Sequence, residues 1–196
     1  MSRLIFATSN PHKVEEITQF FSDTPYEIQS LLDFPTIPEA PEPYDTFQDN
    51  AAPKAHFVYP YTGGMVIADD SGLVVDALNG RPGVFSKRYS VEATAQSNNA
   101  KLLDEMSQHT ARSARFKCVL AIFDGQTTEY IEGACEGSIG TELCGEGGFG
   151  YDPLFLPEEF PGRSMADLTM NEKNTISHRG RALQQLKRWL MDDTKV

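Results

Sequence analysis

Two short apolar runs, Met65-Val66-Ile67-Ala68 and Gly72-Leu73-Val74-Val75, are separated only by Asp69, Asp70 and Ser71. Each has the length and composition of a buried strand. Adjacent carboxylates at the joint of two core strands constrain the fold strongly, because burying an unpaired charge costs several kcal/mol. Either the joint supplies a cation, a proton or a water, or it is a turn in which the Asp and Ser side chains bond the local backbone. Both readings are open from this stretch alone.

The preceding segments have the rhythm of an α/β protein. Leu4-Ile5-Phe6-Ala7 reads as a strand and Thr8-Ser9-Asn10-Pro11 as the loop that ends it. From Lys13 onward Val14, Ile17, Phe20 and Phe21 recur at helical spacing, with Glu15, Glu16 and Gln19 on the other side. A polar loop at a helix N-terminus suits a phosphate, with Lys13 as countercharge, although the Gly-rich pattern of a P-loop is missing. Alternatively, Ser9 or Asn10 is a helix cap and Lys13 a solvated side chain. Residues 26–31 alternate as a strand does, and Pro35, Pro38, Pro41 and Pro43 then exclude regular helix. This Pro-rich loop carries Glu39, Glu42 and Asp45, acids that are either solvated or within reach of a metal. Thr46 and Asp49 form a capping-box pattern that opens a helix to about Tyr59, placing Asn50 and Lys54 on one face. Pro53 is expected to kink that helix or confine its regular part to one side.

Beyond the carboxylates, residues 79–89 form a Gly/Pro loop ending in Lys87 and Arg88, a combination that suits a polyphosphate. Residues 93–106 read as a scaffold helix with Leu102, Leu103 and Met106 turned inward. Residues 114–123 and 127–134 flank Asp124-Gly125-Gln126 as a hairpin, with 136–139 as a continuation, which points to a mixed sheet. In residues 145–153 glycines permit close backbone approach, and Phe149 and Tyr151 offer either a stacking face for a flat base or core anchors. Glu172 and Lys173 fall on a short helix within 165–174. Ser177 then caps a last helix whose Leu183, Leu186, Trp189 and Leu190 are apolar. His178 and Arg179 stand in its first turn, where a cation is unfavourable unless an anion is near.

With 196 residues, 40% hydrophobic and 23% charged, the chain suits one globular domain, 1–196. Its 17 basic and 28 acidic residues give a net charge of −11, which opposes a nucleic acid polymer as partner. A small anion then needs a metal or clustered Lys and Arg. Cys118, Cys135 and Cys144 have neither zinc spacing nor an even count, and are expected to be reduced and structural. No apolar run approaches a bilayer span and the N-terminus lacks a signal-like core, so no membrane partner and a cytoplasmic location are expected.

Taken together, six segments resemble the inosine triphosphate pyrophosphatase family. They are Phe6-Ala7-Thr8-Ser9-Asn10 with Lys13; Thr46-Phe47 with Asn50-Ala51 and Lys54-Ala55; Ala68-Asp69-Asp70-Ser71-Gly72-Leu73; Pro82-Gly83 with Arg88-Tyr89-Ser90; Gly148-Phe149-Gly150-Tyr151-Asp152-Pro153; and Ser177-His178-Arg179-Gly180. The resemblance implies Mg²⁺-dependent hydrolysis of ITP, dITP and XTP between the α- and β-phosphates, giving monophosphate and pyrophosphate. Residue by residue it implies that Thr8, Ser9, Asn10, Pro11, His12 and Lys13 form the phosphate loop, with Asn50 and Lys54 also facing phosphates. Asp70 is the implied catalytic carboxylate, as base or through the metal, with Asp69 and Glu42 as supporting metal ligands. Ser71 and Arg88 are implied substrate contacts, and Phe149, Gly150, Tyr151, Asp152, Lys173, His178 and Arg179 the nucleoside pocket. The implied architecture is α/β, a long mixed sheet with flanking helices and two lobes around a central nucleotide-binding cleft, assembled as a homodimer. Asp49 stands where the family pattern commonly has Glu, and Pro53 interrupts the segment bearing Asn50 and Lys54. A pyrophosphatase for other modified nucleotides and a non-catalytic purine nucleotide sensor are the rival readings.

Overall fold

A computed structural model describes residues 3–191. Among these residues six strands, β1 (Arg3–Phe6), β2 (Glu27–Ser30), β3 (Met65–Val75), β4 (Ser113–Phe123), β5 (Thr128–Ile139) and β6 (Phe155–Pro157), form one sheet in the order β2-β1-β3-β4-β5-β6. Strand β1 pairs in parallel with β2 and β3, whereas β5 and β6 are antiparallel, so the sheet is mixed. Among the described residues five α-helices accompany it: α1 (Pro11–Phe20), α2 (Phe47–Thr62), α3 (Ala95–Met106), α4 (Met170–Ile176) and α5 (His178–Leu190). Among the described residues no helix is long and apolar enough to cross a membrane.

Local chemistry accounts for the helix starts. Asn10 caps α1, its side chain accepting from the amides of His12 and Lys13, and Pro11 at the first position has no amide to satisfy. Thr46 caps α2 by accepting from the Asp49 amide.

Three expectations change. Helix α2 runs through both Pro53 and Pro60 to Thr62. Proline removes one donor, but Ala51, Ala52, Ala55 and Val58 are buried and hold the helix by packing. Residues 69–71 form no joint, because β3 is a single strand of 11 residues through both aspartates. Glu16 does not face outward with Glu15 and Gln19: it is buried beside Ile17 on α1.

The chain divides into two compact units, and neither is contiguous. The first comprises the chain up to Asp70, Cys118–Gly133 and the chain from Arg179 onward. Its strands alternate between two apolar faces. Leu4, Phe6, Ile67, Cys118, Leu120 and Ile122 pack with Ile17 of α1 and Leu183 and Leu186 of α5. The intervening Ile5, Ala7, Val66 and Ala68 pack with Ala55 and Val58 of α2, and Val119 and Ala121 with its Ala51 and Ala52. The second unit, Ser71–Lys117 with Ala134–His178, has one core that includes Leu73, Val75, Leu102, Met106, Phe116, Tyr151 and Phe155.

Within the second unit the 3₁₀ segment Gly83–Arg88 lies against β3 at Gly72. The Ser86 hydroxyl donates to the Gly83 carbonyl at 2.6 Å and accepts from the Leu73 amide at 2.9 Å. A Cβ on Gly72 would stand 2.2 Å from the Gly83 carbonyl oxygen, a backbone atom that cannot swing aside. Gly72→Ala is therefore expected to cost about 3 kcal/mol by overpacking, read as a lower midpoint in chemical denaturation.

Candidate functional site

Adjacent residues of a strand point to opposite faces, so β3 sends Asp69 and Asp70 into different surroundings although both are buried, at 5% and 7% exposure. Asp69 follows the register of Ile67 toward α1 and α5. There Lys13 Nζ donates to its Oδ2 at 2.6 Å, and Arg179 approaches the same oxygen at 3.5 Å. Arg179, 3% exposed, also pairs with Glu16 at 2.5 Å. Burial opposes ionisation of Asp69, but Lys13, Arg179 and Lys54 outweigh it and hold its carboxyl well below the usual range. Burial, with Arg179 and Lys54 nearby, also lowers the pKa of Lys13 despite the attraction of Asp69.

Asp70 follows the register of Val66 and Ala68 toward α2, where Asn50 Nδ2 donates to its Oδ2 at 3.1 Å. Asn50 is itself fixed, exchanging hydrogen bonds of 3.0 Å each with the backbone of Tyr44. Lys54, one turn on, donates to Glu42 at 2.6 Å and to the Asp69 carbonyl at 2.8 Å. Burial disfavours its ammonium, but Asp69, Glu42 and Asp70 prevail and raise its pKa. At Asp70 the balance reverses. Burial, helped by Glu42 and Asp69 and resisted by Lys54 and Asn50, pushes its carboxyl up to about 6. A carboxyl that exchanges its proton near neutrality, beside held ammonium groups, suits proton transfer or a divalent cation.

The loop before α1 lies in the same unit. Thr8 is buried and accepts from the Asn10 amide at 3.2 Å, and the Ser9 hydroxyl donates to Glu39 at 3.1 Å. Because Asn10 engages the amides of His12 and Lys13, what α1 offers an anion at this end is its dipole and the Lys13 ammonium. Pro11 and His12 are exposed.

The second unit holds a separate cluster. Lys173 Nζ donates to Asp152 Oδ2 at 2.9 Å and lies 4.4 Å from the centroid of the Phe149 ring. The same Asp152 oxygen accepts the Phe149 amide at 2.8 Å, so one carboxylate sets both the aromatic and the cation over it. Gly148 has φ +73°, and a Cβ there would meet Asp152 Oδ2 at 2.4 Å. Tyr151 is a core residue whose hydroxyl donates to the Ser86 carbonyl at 2.9 Å, and His178 stacks on Phe116 at 4.9 Å. Ser71 is half-buried in β3, and Arg88 is exposed with its guanidinium over Phe85.

The structure thus brings Lys13, Asn50, Lys54, Asp69, Asp70, Glu42 and Arg179 together in one unit, and Phe149, Gly150, Tyr151, Asp152, Lys173 and His178 in the other. His178 and Arg179, paired in the sequence reading, fall on either side of the unit boundary. Sequence reasoning missed Glu16 and Asn99. Glu16 lies three residues after Lys13, a spacing that puts both on one helix face. Asn99, which donates to the Gly150 carbonyl at 2.8 Å, carries no sequence signal beyond its place on an amphipathic helix. The cysteines are thiols: Cys118 and Cys135 are buried, with burial pushing the Cys118 thiol up to about 12, and Cys144 is exposed.

Similarity to known proteins extends over nearly the whole chain. A dITP/XTP pyrophosphatase of Oceanobacillus iheyensis is 47% identical, the match covering 97% of this chain and 98% of its own. The solved structure of a HAM1 protein from Coxiella burnetii superposes with a TM-score of 0.88 at 37% identity, over 98% of this chain and 100% of that one. The crystal structure of a nucleoside-triphosphatase / dITP/XTP pyrophosphatase from Mycobacterium abscessus gives 0.76 at 40% identity, over 94% and 98%. The Ham1 family profile matches residues 4–189, and with these relatives it places the chain in the Ham1 family.

Proposed function

We propose that the chain is a nucleoside triphosphate pyrophosphatase that hydrolyses dITP, ITP and XTP to the monophosphate and pyrophosphate. The observation that carries this reading is Asp70, a buried carboxyl pushed up to about 6 beside an amide and an ammonium that are themselves held in place. The dITP/XTP pyrophosphatase activity named for its relatives supports the same reading. Each unit is assembled from separate stretches of chain, which favours treating 1–196 as one functional domain.

The phosphates are assigned to Lys13 and Lys54, with Thr8, Ser9 and Asn10. Asp69 holds Lys13 and so fixes one ammonium against the repulsion of its neighbours. Asp70 accepts the proton of the water that attacks the α-phosphorus. The bond from that phosphorus to the bridging oxygen breaks and pyrophosphate leaves with the electron pair. Phe149 provides the stacking face for the base, with Lys173 and Asp152 setting its position. His178, stacked on Phe116, is assigned as donor to the 6-oxo group, since Arg179 already serves Glu16 and Asp69. Adenine, with an amino group at that position, would leave such a donor unpaired.

Among the described residues no group of three or more His, Cys, Asp or Glu is placed to hold a metal ion. Mg²⁺ needs less, commonly binding one or two carboxylates together with substrate phosphates. Asp70 and Glu42 fit that demand: they are oxygen donors, and Glu42 raises the cost of charge on Asp70. When bound, Mg²⁺ would neutralise phosphate charge and acidify the attacking water. A homodimer in the cytoplasm completes the proposal.

With Mg²⁺, purified protein should release pyrophosphate from dITP, ITP and XTP and largely spare ATP. Orthophosphate as product, equal turnover of ATP, or tight dITP binding without hydrolysis would each refute the reading.

Asp70→Asn should lower kcat by about a thousandfold while the unfolding midpoint at pH 8 is kept or raised. In the metal-free protein the Asp70 carboxyl should titrate near 6 by carbon NMR, and higher still in Lys54→Met, which loses a cation that favours the carboxylate. Since the folded value is raised, the folded state binds more protons than the unfolded one between about pH 4 and 6. Stability from Asp70 is thus fully present at low pH and is lost as pH rises through about 6.

A further inference from the structure

Helix α3 carries two adjacent buried amides, Asn98 and Asn99, both 5% exposed. Asn98 uses its whole amide. Its Nδ2 donates to the carbonyls of Ser86 at 3.3 Å and Lys87 at 3.2 Å, and its Oδ1 accepts from the Ser90 amide and hydroxyl at 2.7 Å. Asn99 uses half. Its Nδ2 donates to the Gly150 carbonyl at 2.8 Å, and only the NH₂ end of an amide can do so, which fixes the side-chain orientation. Its Oδ1 is then buried with no hydrogen-bond partner among the described residues.

A buried amide oxygen without a donor costs stability, so packing alone would favour an apolar residue at this position. What the amide holds explains its presence. Gly150 has φ +63° and lies in the middle of residues 148–152, between Phe149 and the Tyr151-Asp152 pair. Asp152 fixes the Phe149 end through its amide, and Tyr151 ties the other end to the Ser86 carbonyl, the atom that Asn98 also holds. Asn99 secures the residue between these two anchors.

We propose that Asn99 is a positioning residue for the base-gripping loop: through the Gly150 carbonyl it fixes the Phe149 ring, and it acts on recognition of the nucleoside and not of the triphosphate. This rests on the assignment of Phe149 to the base.

The test compares wild type with Asn99→Leu, which keeps the bulk and removes both the donor and the unpartnered oxygen. Without nucleotide, hydrogen exchange in residues 148–152 should quicken about tenfold, the worth of one lost hydrogen bond, while the thermal midpoint is kept or raised. The KM for dITP should rise about tenfold with kcat within threefold, and inhibition by inorganic tripolyphosphate should stay unchanged. Unchanged exchange, an unchanged KM, or tripolyphosphate inhibition weakened in step with KM would overturn the proposal. Should Asn99→Leu not fold, the isosteric Asn99→Asp, which has no donor for the carbonyl, must show the same rise in KM, and a normal KM would overturn the proposal. Wild type that releases no pyrophosphate from dITP would refute the assigned activity instead, and the exchange comparison would still decide whether Asn99 holds the loop.

Discussion

A strand can carry two adjacent carboxylates through a protein core only if each face of the sheet provides its own compensation. In β3 that condition sets the surrounding structure. The Asp69 face receives two cations, Lys13 from α1 and Arg179 from α5, and Arg179 in turn has Glu16. These are fully formed ion pairs at low exposure, where removing one partner would leave a buried charge and cost several kcal/mol. The Asp70 face receives an amide from α2, with an ammonium one turn on that is already shared with Glu42 and a carbonyl. The two carboxyls consequently shift in opposite directions, Asp69 down and Asp70 up to about 6. One is a fixed countercharge and the other a group that can exchange a proton.

This division explains which parts of the site were legible in the sequence. Strand and helix identity followed from apolar periodicity, and the caps at Asn10 and Thr46 from short-range hydrogen bonding, so the mixed sheet with flanking helices could be read in advance. The residue types needed for triphosphate chemistry were equally visible. The opposite orientation of Asp69 and Asp70 was not, because Asp69-Asp70-Ser71-Gly72 also has good turn chemistry, and reading a turn there hides the period of two. Only partners on each face, supplied by segments far away in sequence, keep the strand continuous. Glu16 was hidden for a related reason: an acid on a helix is ordinarily solvated, and its burial depends on Arg179, 163 residues later. Pro53 misled in the other direction, since the helix around it is stabilised by buried alanines.

Two compact units divide the chain. The boundary falls within β3, between Asp70 and Ser71, and again within β4 and β5, so strands shared along their length serve two different cores. The residues suited to phosphate belong to the first unit and the aromatic loop to the second. Under the proposed function, chemistry at the anhydride and selection of the base therefore rest on separate sets of supports. Under the same proposal, substitutions in the Lys13-Asp69-Arg179-Glu16 cluster act on the first, and those around Asp152, Lys173 and Asn99 on the second.

Both supports contain a feature that packing alone would remove. Ionised Asp70 destabilises the fold near neutral pH, since its carboxyl is raised chiefly by burial, and Asn99 buries an oxygen that has no hydrogen-bond partner among the described residues. A fold tolerates such costs only where the surrounding core outweighs them. Here the strand through Asp70 is flanked by Ala68 and Leu73, both fully buried, and Asn99 lies near Leu102 and Met106 on the apolar face of α3. Local inconsistency within a well-packed neighbourhood is a physical signature of function, and both Asp70 and Asn99 carry it.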